Sequence, residues 1–440
     1  MRLDRLFMPG RISLQGGRSV HIERARLRMV LMSGLFACAY LLLAVRAFDL
    51  SVFQAVQERA ELSEAPAEQA SDVQVMAPRG RILDRNGLVL ASSLPMAALS
   101  ANPSLILEPQ KVAAGLTKIF PDLDRRALSE KLSSKNKRFL WVERNITPSQ
   151  QEEVLKLGEP GLNFHEASRR VYPQGALGGH LVGYTDLDGA GLAGAERGAP
   201  ALSKGGDITL AMDIRLQHIL HREVSGAIRQ FSAKAGAGLI MDVKTGEVLA
   251  GVSLPDFNPH EAGNAGDEAK FNRLTLGVYE LGSLFKIFST AAFLDKTPGG
   301  MEAMFDATKP LKSGRHTIHD YHAQNKVMST PEVFMHSSNI GSALMGRAVG
   351  TDGLKEFYTD LGLLDPLDIG LKEIGKPQAP REWREINTLT AAYGHGLSTT
   401  PLQAAAAVAS IVNGGTRVTP KLLAGGEVHT GARIIQPATS

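Results

Sequence analysis

The longest apolar segment of the chain lies near its amino end. Residues 29–45 form an uncharged run of 17 residues with an arginine on either side. A helix of this length barely crosses the hydrocarbon core of a bilayer. Arg46 need not end the span, because its long side chain can carry the charge to the membrane surface. The predicted membrane-spanning helix is therefore 29–48. The arginine-rich residues 1–28 precede it, which predicts that the amino end stays in the cytoplasm and the rest is exported.

Two alternatives to an uncleaved anchor involve the single cysteine. Residues 37–39 resemble the small-residue site of a cleaved signal peptide, and residues 35–38, which end at Cys38, form a poor lipoprotein signal. The apolar run continues beyond both sites through Leu41–Leu43, which favours the uncleaved anchor. With one cysteine in the chain, no internal disulfide can form.

Beyond residue 74, the spacing of apolar residues changes between strand-like alternation and helical periodicity. An Asn-Gly pair at 86–87 between two short apolar runs predicts a hairpin turn. Residues 110–160 alternate helical patterns with charged turns. Further elements are predicted as follows: a short strand over Ile208–Leu210, a helix from Ile214 to Phe231, two strands over Ala237–Val243 and Glu247–Val252, and a helix capped near Thr400, with Pro401 in its first turn, that ends near Val412.

The composition limits the class of protein. The 440 residues suffice for two or three domains, and 43% hydrophobic with 21% charged residues is typical of a globular protein. The net charge of +3 is unevenly placed, because residues 1–28 hold seven arginines against two acidic residues. The remainder carries a small acidic excess, so charge argues against a nucleic-acid binder.

The sequence around Ser283 carries the first chemical signal. Gly282 permits a sharp turn into an apolar helical pattern, so Ser283 lies in the first helical turn and shares a helix face with Lys286. A serine needs an adjacent base to act as a nucleophile, and a lysine can serve when burial lowers its pKa. Ser-x-x-Lys therefore indicates acyl transfer, although a capping serine with a solvated lysine gives the same pattern.

A second element, residues 336–341, strengthens the acyl-transfer interpretation. Ser337 and Asn339 are two residues apart, as a Ser-x-Asn motif requires. In such a motif, Ser337 could relay a proton and Asn339 could hold a substrate amide. Together and in this order, the two motifs resemble those of the penicillin-binding transpeptidases.

The resemblance extends along the chain. Residues 77–87, 169–173 and 392–403 are similar to segments of class B penicillin-binding proteins, in particular the division-specific FtsI family. This resemblance implies an α+β fold with a non-catalytic pedestal (dimerisation) domain and a serine DD-peptidase-like transpeptidase domain of antiparallel sheet and helices. The implied boundaries are a cytoplasmic basic tail at 1–28, a transmembrane helix at 29–48, a stalk at 49–74, a pedestal domain at 75–205 whose strands all lie before residue 205, and a transpeptidase domain at 206–440.

Resemblance to this family also implies an activity. Ser283 would attack the penultimate D-alanine carbonyl of a peptidoglycan stem peptide, and the acyl-enzyme would pass to an amine on a neighbouring strand during septal wall synthesis. Lys286 would deprotonate Ser283, and Ser337, helped by Asn339, would shuttle the proton. The family implies no cofactor or metal, acylation of the same serine by β-lactams, and a single-pass inner-membrane location with the catalytic domain in the periplasm. The implied partners are an FtsW-type glycosyltransferase and other divisome proteins, with no nucleic acid.

Two other patterns receive structural interpretations. Residues 189–194 match the G-x-G-x-x-G of dinucleotide sites, but residues 196–200 are a poor helix start, so a glycine-rich structural loop is predicted. His316, His319 and His322 are three residues apart, a spacing that could suggest a metal site. No anchoring Cys or Glu-x-x-His accompanies them, so a polar loop beside the active-site cleft is predicted instead.

Lys244-Thr245-Gly246 has the composition of the family's third catalytic signature. It precedes Ser283, whereas the family's copy comes late in the chain, so Lys244 is interpreted as a hairpin residue. After residues 434–437 the family continues to a Lys-Thr-Gly strand, and this sequence ends at Ser440. We therefore expect a C-terminally incomplete transpeptidase domain whose sheet is completed by strands beyond residue 440, and poor activity of the 440-residue chain.

Two rival functions fit parts of the sequence. A non-catalytic, membrane-anchored divisome scaffold would need only the anchor and pedestal, and is favoured by the missing late signature. A β-lactamase-like hydrolase would use the same serine, but the anchor and the large pedestal argue against it. A fluorescent β-lactam separates the three functions. It would label a transpeptidase stably, would not label a scaffold, and would be turned over rapidly by a hydrolase.

Overall fold

The computed structural model describes residues 38–43, 46, 79–425 and 431–440. Residues 38–43 and 46 are helical, and Cys38 is exposed. Within these described ranges, no helix is both long and apolar enough to cross a membrane. The predicted basic tail, the stalk and most of the predicted span lie outside the described residues. The region from Met76 to Ser440 forms one compact unit.

A five-stranded sheet occupies the first part of this unit. Its strands are β1 (Ile82–Leu83), β2 (Val89–Ala101), β3 (Leu140–Ile146), β4 (Leu162–Val171) and β5 (Ile208–Thr209). The long strand β2 pairs antiparallel with β1, β3 and β4, while β1 pairs parallel with β5. The predicted Asn-Gly turn joins β1 to β2, where Gly87 adopts a φ of 84° and donates its N–H to the Asp84 carbonyl at 3.0 Å.

Short helices accompany this sheet. They are α1 (Pro109–Ile119), α2 (Arg125–Leu132), α3 (Pro148–Leu155), α4 (Gly179–Val182), α5 (Gly194–Gly198) and α6 (Pro200–Ser203). Asp124 caps α2 and Thr147 caps α3 by accepting hydrogen bonds from the first turn of each helix. Leu99 of β2, Leu116 of α1 and Leu132 of α2 are fully buried in one apolar cluster, which fixes these helices against the sheet.

Two expectations for this region are wrong. Within 110–160, residues Leu140–Ile146 form a strand and not a further helix, because this segment pairs with β2. The strands of the first sheet also do not all lie before residue 205, since the Ile208 N–H donates to the Arg81 carbonyl at 2.9 Å within the parallel β1–β5 pair. Both errors concern pairing between segments far apart in sequence, which local patterns do not report.

The glycine-rich segment at 189–194 packs the backbone against itself. The expected poor helix start is wrong in part, because α5 begins at Gly194 and runs for five residues. A side-chain carbon at Gly191 would lie 2.0 Å from the Glu196 carbonyl oxygen, and one at Gly183 would lie 1.8 Å from that of Ala193. These glycines therefore permit close contact between protein segments, as the prediction of a structural loop requires.

A helix and a hairpin open the second part of the unit. They are α7 (Ile214–Phe231), β6 (Gly236–Met241) and β7 (Val248–Leu254), and all three agree closely with the sequence prediction. The one-turn helix α8 (Asp267–Lys270) follows them. β6 and β7 pair antiparallel, and α7 packs on both strands. A side-chain carbon at Gly236 would lie 3.1 Å from atoms of Val224 and Ile228, so the glycine lets α7 approach the hairpin closely.

Small strands and six helices complete the unit. The strands are β8 (Met304–Asp306), β9 (Leu311–Ser313), β10 (His316–Ile318) and β11 (Val327–Ser329), and the helices are α9 (Phe285–Lys296), α10 (Thr330–Met335), α11 (Asn339–Val349), α12 (Thr351–Asp360), α13 (Glu385–Ala391) and α14 (Pro401–Val412). β9 pairs with β10, and β8 pairs with β11. Helix α9 packs against α10, α11, α12 and α14, and its Phe285 and Phe288 are buried with Tyr358 of α12.

Helix α14 begins as the sequence predicts. The Thr400 hydroxyl accepts from the Gln403 N–H, and the Gln403 side-chain oxygen accepts from the Thr400 N–H, which together form a reciprocal capping box. Pro401 occupies the first turn of the helix. Among the described residues, β6 pairs with β7 alone. Together β6 and α14 line an apolar groove of about 400 Å³, which Leu281 and Leu284 also border.

Candidate active site

Ser283 lies in a tight turn immediately before helix α9. Gly282–Leu284 form a short 3-10 helical turn, which we call the Ser283 turn, and Gly282 adopts a φ of 54° that favours glycine. A side-chain carbon at Gly394 would lie 2.0 Å from the Gly282 carbonyl oxygen, so a second glycine lets the 392–396 loop seat this turn. Ser283 is exposed at this position, one turn before the buried Lys286.

Lys286 lies at the centre of a hydrogen-bonded cluster. Its side chain comes from the first turn of α9 and is 2% exposed. The Nζ atom donates to Ser337 Oγ at 2.9 Å and to Asn339 Oδ1 at 2.8 Å, and it also contacts the Ser337 carbonyl oxygen. Ser283 Oγ lies 3.3 Å from the same nitrogen. The structure therefore brings together all four residues selected from the sequence, which come from segments about fifty residues apart.

The Ser337–Asn339 segment is a tight connection between α10 and α11. Ser337 has a φ of 53°, a backbone conformation that is uncommon outside glycine and often marks a functional site. Ser338 caps α11, because its hydroxyl accepts from the Gly341 N–H at 2.9 Å. Ser337 Oγ donates to Ser283 Oγ at 3.0 Å, so it touches the nucleophile candidate as well as Lys286.

The surroundings of Lys286 change its protonation. Burial lowers the pKa of the Lys286 ammonium to about 8, and the negative charge of Asp320 opposes that shift in part. The oxygen atoms bonded to Nζ belong to a hydroxyl, a carbonyl and an amide, none of which carries a charge. An unprotonated amine is therefore accessible near neutral pH, within reach of a serine hydroxyl, which is the arrangement that general-base activation of a nucleophile needs.

A loop after β10 supports the cluster from outside, and sequence reasoning did not single out its central residue. Asp320 Oδ2 accepts from the Ser338 hydroxyl at 2.8 Å and Oδ1 accepts from the Ile340 N–H at 2.9 Å. The neighbouring His319 carbonyl accepts from Asn339 Nδ2 at 3.0 Å. The polar segment predicted beside the cleft therefore contacts the Ser-x-Asn element directly.

The remaining sequence candidates have other roles. Across the residues that the structure describes, no group of three or more His, Cys, Asp or Glu side chains is arranged to hold a metal ion, and this includes the histidines from His316 to His322. Lys244 lies exposed in the turn between β6 and β7, where its N–H donates to Asp242 Oδ1 at 2.8 Å. Gly246 closes this turn with a φ of 74°. Lys244 is thus a hairpin residue, as the sequence interpretation states.

Comparisons with known proteins identify the family. Residues 236–436 match the family model of the penicillin-binding protein transpeptidase domain, and residues 74–193 match that of the penicillin-binding protein dimerisation domain. Together the two models cover the hairpin, the Ser283 turn and α9 to α14, and most of the first sheet.

Individual relatives agree with the two family models. The chain is 37% identical over 370 residues to a probable peptidoglycan D,D-transpeptidase FtsI of Caulobacter vibrioides, covering 82% of this chain and 62% of the relative. It is 30% identical over 398 residues to a probable peptidoglycan D,D-transpeptidase PenA of Neisseria meningitidis, covering 83% of this chain and 68% of the relative. The chain thus spans about six tenths of the length of the first of these relatives.

A solved structure shares the fold. The crystal structure of a peptidoglycan synthetase from Bifidobacterium adolescentis aligns with a TM-score of 0.64 at 20% identity, covering 83% of this chain and 79% of that one. This likeness shows a shared mixed α/β fold. The two family models and the relatives show that the chain belongs to the class B penicillin-binding proteins of the FtsI type, with a dimerisation and a transpeptidase domain.

Proposed function

We propose that this protein is a serine-type peptidoglycan D,D-transpeptidase that cross-links stem peptides during septal wall synthesis. One observation carries the proposal: the Lys286 amine, almost fully buried, is within hydrogen-bond distance of Ser283, Ser337 and Asn339 at once. The printed names of the relatives from Caulobacter and Neisseria, both peptidoglycan D,D-transpeptidases, support the substrate class.

The first half of the reaction forms an acyl-enzyme. Ser283 Oγ bonds to the carbonyl carbon of the penultimate D-alanine while its proton passes to the unprotonated Lys286 Nζ, 3.3 Å away. The carbon–nitrogen bond to the terminal D-alanine then breaks, and its nitrogen takes that proton as the D-alanine leaves. Because the lowered pKa of Lys286 makes its neutral form available near neutral pH, the amine can accept and return this proton.

The second half transfers the acyl group. An amine of a neighbouring stem peptide attacks the ester carbon, gives a proton to Lys286 and displaces Ser283 Oγ, which regains its hydrogen. Ser337 offers a second path for that proton, since its hydroxyl lies 3.0 Å from Ser283 Oγ and 2.9 Å from Lys286 Nζ. Asn339 holds Lys286 through Oδ1 and is the side chain we assign to the substrate amide.

The location and partners form part of the same proposal. The apolar run at 29–45 behind an arginine-rich tail supports a single-pass protein of the inner membrane, with residues 1–28 in the cytoplasm and the catalytic region in the periplasm. We assign the stalk to 49–74, the pedestal domain to 75–205 and the transpeptidase domain to 206–440. The expected partners are a glycosyltransferase of the FtsW type and other divisome proteins, and β-lactam antibiotics are the expected inhibitors.

A fluorescent penicillin tests the proposed activity directly. The full-length protein should form a stable covalent adduct that survives denaturing electrophoresis, with the label on the tryptic peptide containing Ser283. The Ser283→Ala protein should show none. Absence of label on folded wild-type protein, or label that turns over within minutes, would contradict the transpeptidase assignment and favour the scaffold or the hydrolase.

A further inference from the structure

One carboxylate holds both neighbours of Asn339. Asp320 Oδ2 accepts from the Ser338 hydroxyl at 2.8 Å, and Asp320 Oδ1 accepts from the Ile340 N–H at 2.9 Å. Ser338 and Ile340 are 2% and 3% exposed and Asp320 is half-buried, so these bonds are partly shielded from water at the start of α11. Hydrogen bonds to a charged acceptor are about twice as strong as neutral ones, so Asp320 constrains this segment strongly.

The residue before Asp320 fixes the orientation of the Asn339 amide. Asn339 Nδ2 donates to the His319 carbonyl at 3.0 Å, and Asn339 Oδ1 accepts from Lys286 Nζ at 2.8 Å. A flipped amide would place an N–H against Nζ and an oxygen against a carbonyl, and would lose both bonds. The 319–320 backbone therefore sets which atom of Asn339 faces the reacting lysine.

We propose that Asp320 is a positioning residue for acyl transfer, which acts by holding Ser338 and Ile340 so that Ser337 and Asn339 stay within bonding distance of Lys286. This inference rests on the proposed transpeptidase function and adds a residue to its machinery. Asp320 touches neither Ser283 nor a reacting atom in this arrangement, so its effect passes through the Ser-x-Asn element. A displacement of about 1 Å in such an element can cost roughly a hundredfold in rate.

The charge of Asp320 gives the role a second component. It raises the pKa of Lys286 against the larger effect of burial, so the loop also influences how much of the amine is unprotonated. Other titratable side chains on the surrounding elements include Asp295 and Lys296 on α9, Glu332 and His336 at α10, Arg347 on α11, Asp352, Lys355, Glu356 and Asp360 on α12, Glu385 on α13, Arg315, His316, His319 and His322 around the loop, and Glu280 with His395 beside the Ser283 turn. The charge that acts on the Lys286 pKa is that of Asp320.

A purely structural role for Asp320 is the competing explanation. A carboxylate at the start of α11 stabilises any helix through the helix dipole, without effect on chemistry. The two explanations differ in their readout, because a helix-stabilising residue changes the unfolding temperature alone. A positioning residue also changes the rate of acylation of fully folded protein and the pH at which that rate rises.

Two substitutions separate geometry from charge. Asp320→Ala removes both hydrogen bonds, whereas Asp320→Asn has nearly the same shape and can still accept from the Ile340 N–H while it loses the charge. Asp306→Asn is the matched control, since Asp306 accepts from the Thr308 N–H and hydroxyl in an exposed turn after β8. The second-order rate of acylation by a fluorescent penicillin is measured between pH 6 and 9.5 in the full-length proteins, together with thermal unfolding.

We expect Asp320→Ala to acylate about a hundredfold more slowly than wild type at every pH at which it is folded. Asp320→Asn should recover most of the wild-type rate at the alkaline end, with the midpoint of its rise at a lower pH, because the charge that raises the Lys286 pKa is gone. Asp306→Asn should match wild type. If Asp320→Ala does not fold, the shifted midpoint of Asp320→Asn carries the test.

The proposal is overturned if Asp320→Asn acylates with the wild-type midpoint, or if folded Asp320→Ala reacts within about threefold of wild type. Either result would leave Asp320 a helix-stabilising residue. Failure of the proposed function looks different: there the wild-type protein itself takes no label, and the positioning role falls with it. If the wild-type protein is labelled and the Asp320 variants acylate with the wild-type rate and pH midpoint, the positioning role alone is rejected.

Discussion

Two clusters in the described part of the chain are each built around a buried charge, and they are made differently. Beside the first sheet, the Glu196 carboxylate on α5 is completely buried and accepts from Arg79 Nε at 2.5 Å and from Arg170 Nε at 2.7 Å. In the active-site cluster, Lys286 is 2% exposed, and the oxygen atoms hydrogen-bonded to its ammonium belong to uncharged groups. One cluster neutralises its central charge by direct ion pairs, and the other leaves its central charge unpaired.

This difference separates a structural charge from the charge that the proposed function makes reactive. Glu196 joins Arg79, just before β1, to Arg170 on β4 and to its own helix α5, so the three residues, which we call the pedestal ion cluster, fix distant segments together. Lys286 has no direct ion pair to offset its loss of hydration, and burial therefore lowers its pKa to about 8. A group that titrates near neutral pH can move a proton during a reaction, whereas a fully paired charge holds position.

The sharpest test of the reactive cluster is Ser283→Ala. Loss of the serine nucleophile in a comparable hydrolase cost about 10⁶-fold in rate, so covalent labelling by a fluorescent penicillin should disappear. Thermal unfolding should stay near that of wild type, because Ser283 is exposed. Ser133→Ala, at an exposed serine that ends α2, is the control and should label normally. A retained label on Ser283→Ala protein would mean that another residue is the nucleophile.

Disruption of the pedestal ion cluster should lower the free energy of unfolding and leave the rate of penicillin labelling unchanged. Glu196→Gln leaves two largely buried guanidinium groups without their directly bonded counter-charge, and removal of one partner from a buried ion pair costs about 3–5 kcal/mol. The free energy of unfolding from urea titration should fall by that amount. Protein that remains folded should still be labelled by penicillin at the wild-type rate.

An exposed ion pair provides the matched control for this prediction. Arg126 and Glu130 on α2 lie 3.4 Å apart with side chains 91% and 69% exposed, so Glu130→Gln should change the unfolding free energy by about 0.5 kcal/mol or less. A similar small loss for Glu196→Gln would show that the buried cluster stabilises no more than a surface pair does.

The two clusters also differ in how far the sequence predicts them. Ser283 and Lys286 are one helical turn apart, and Ser337 and Asn339 are two residues apart, so local spacing identifies each pair. The hairpin around Gly246 is predicted in the same way, from turn chemistry between two apolar strands. Local patterns suffice wherever one short segment supplies both partners.

Contacts between distant segments are not visible in such patterns. Asp320 is separated from Ser338 by eighteen residues, and Arg79 from Glu196 by 117, with no periodic signal that links either pair. The pairing of β5 with β1 escapes prediction for the same reason, since the sequence predicts the short strand near residue 208 but does not identify its distant partner. The mixed α/β class and the four candidate active-site residues are thus predictable, while the residues that hold them in place emerge only from tertiary structure.

The pH dependence of acylation tests whether Lys286 is the base. Its amine must be unprotonated to accept the Ser283 proton, and its pKa is lowered to about 8. The rate should therefore rise about tenfold per pH unit below pH 8 and level off above it. In Lys286→Arg protein the guanidinium stays charged throughout this range, so residual acylation should be slow and independent of pH. A flat profile for wild type would remove Lys286 from the role of base.

The smallest expected effect belongs to Lys244, a lysine that is neither buried nor part of either cluster. It is exposed in the β6–β7 turn, and the contact that orders it there comes from its backbone N–H to Asp242, which a substitution preserves. Lys244→Ala should therefore change the unfolding free energy by about 0.5 kcal/mol or less and leave penicillin labelling unchanged.

A nearby residue of the same turn gives the contrast, because Gly246 has a φ of 74° and a side-chain carbon there would lie 2.3 Å from the Thr419 carbonyl oxygen. Gly246→Ala should cost at least about 1–2 kcal/mol from backbone strain alone. If Lys244→Ala abolished labelling while Gly246→Ala left stability intact, the Lys-Thr-Gly segment would belong to the reaction, and the contrast between buried and exposed lysines would no longer identify the base.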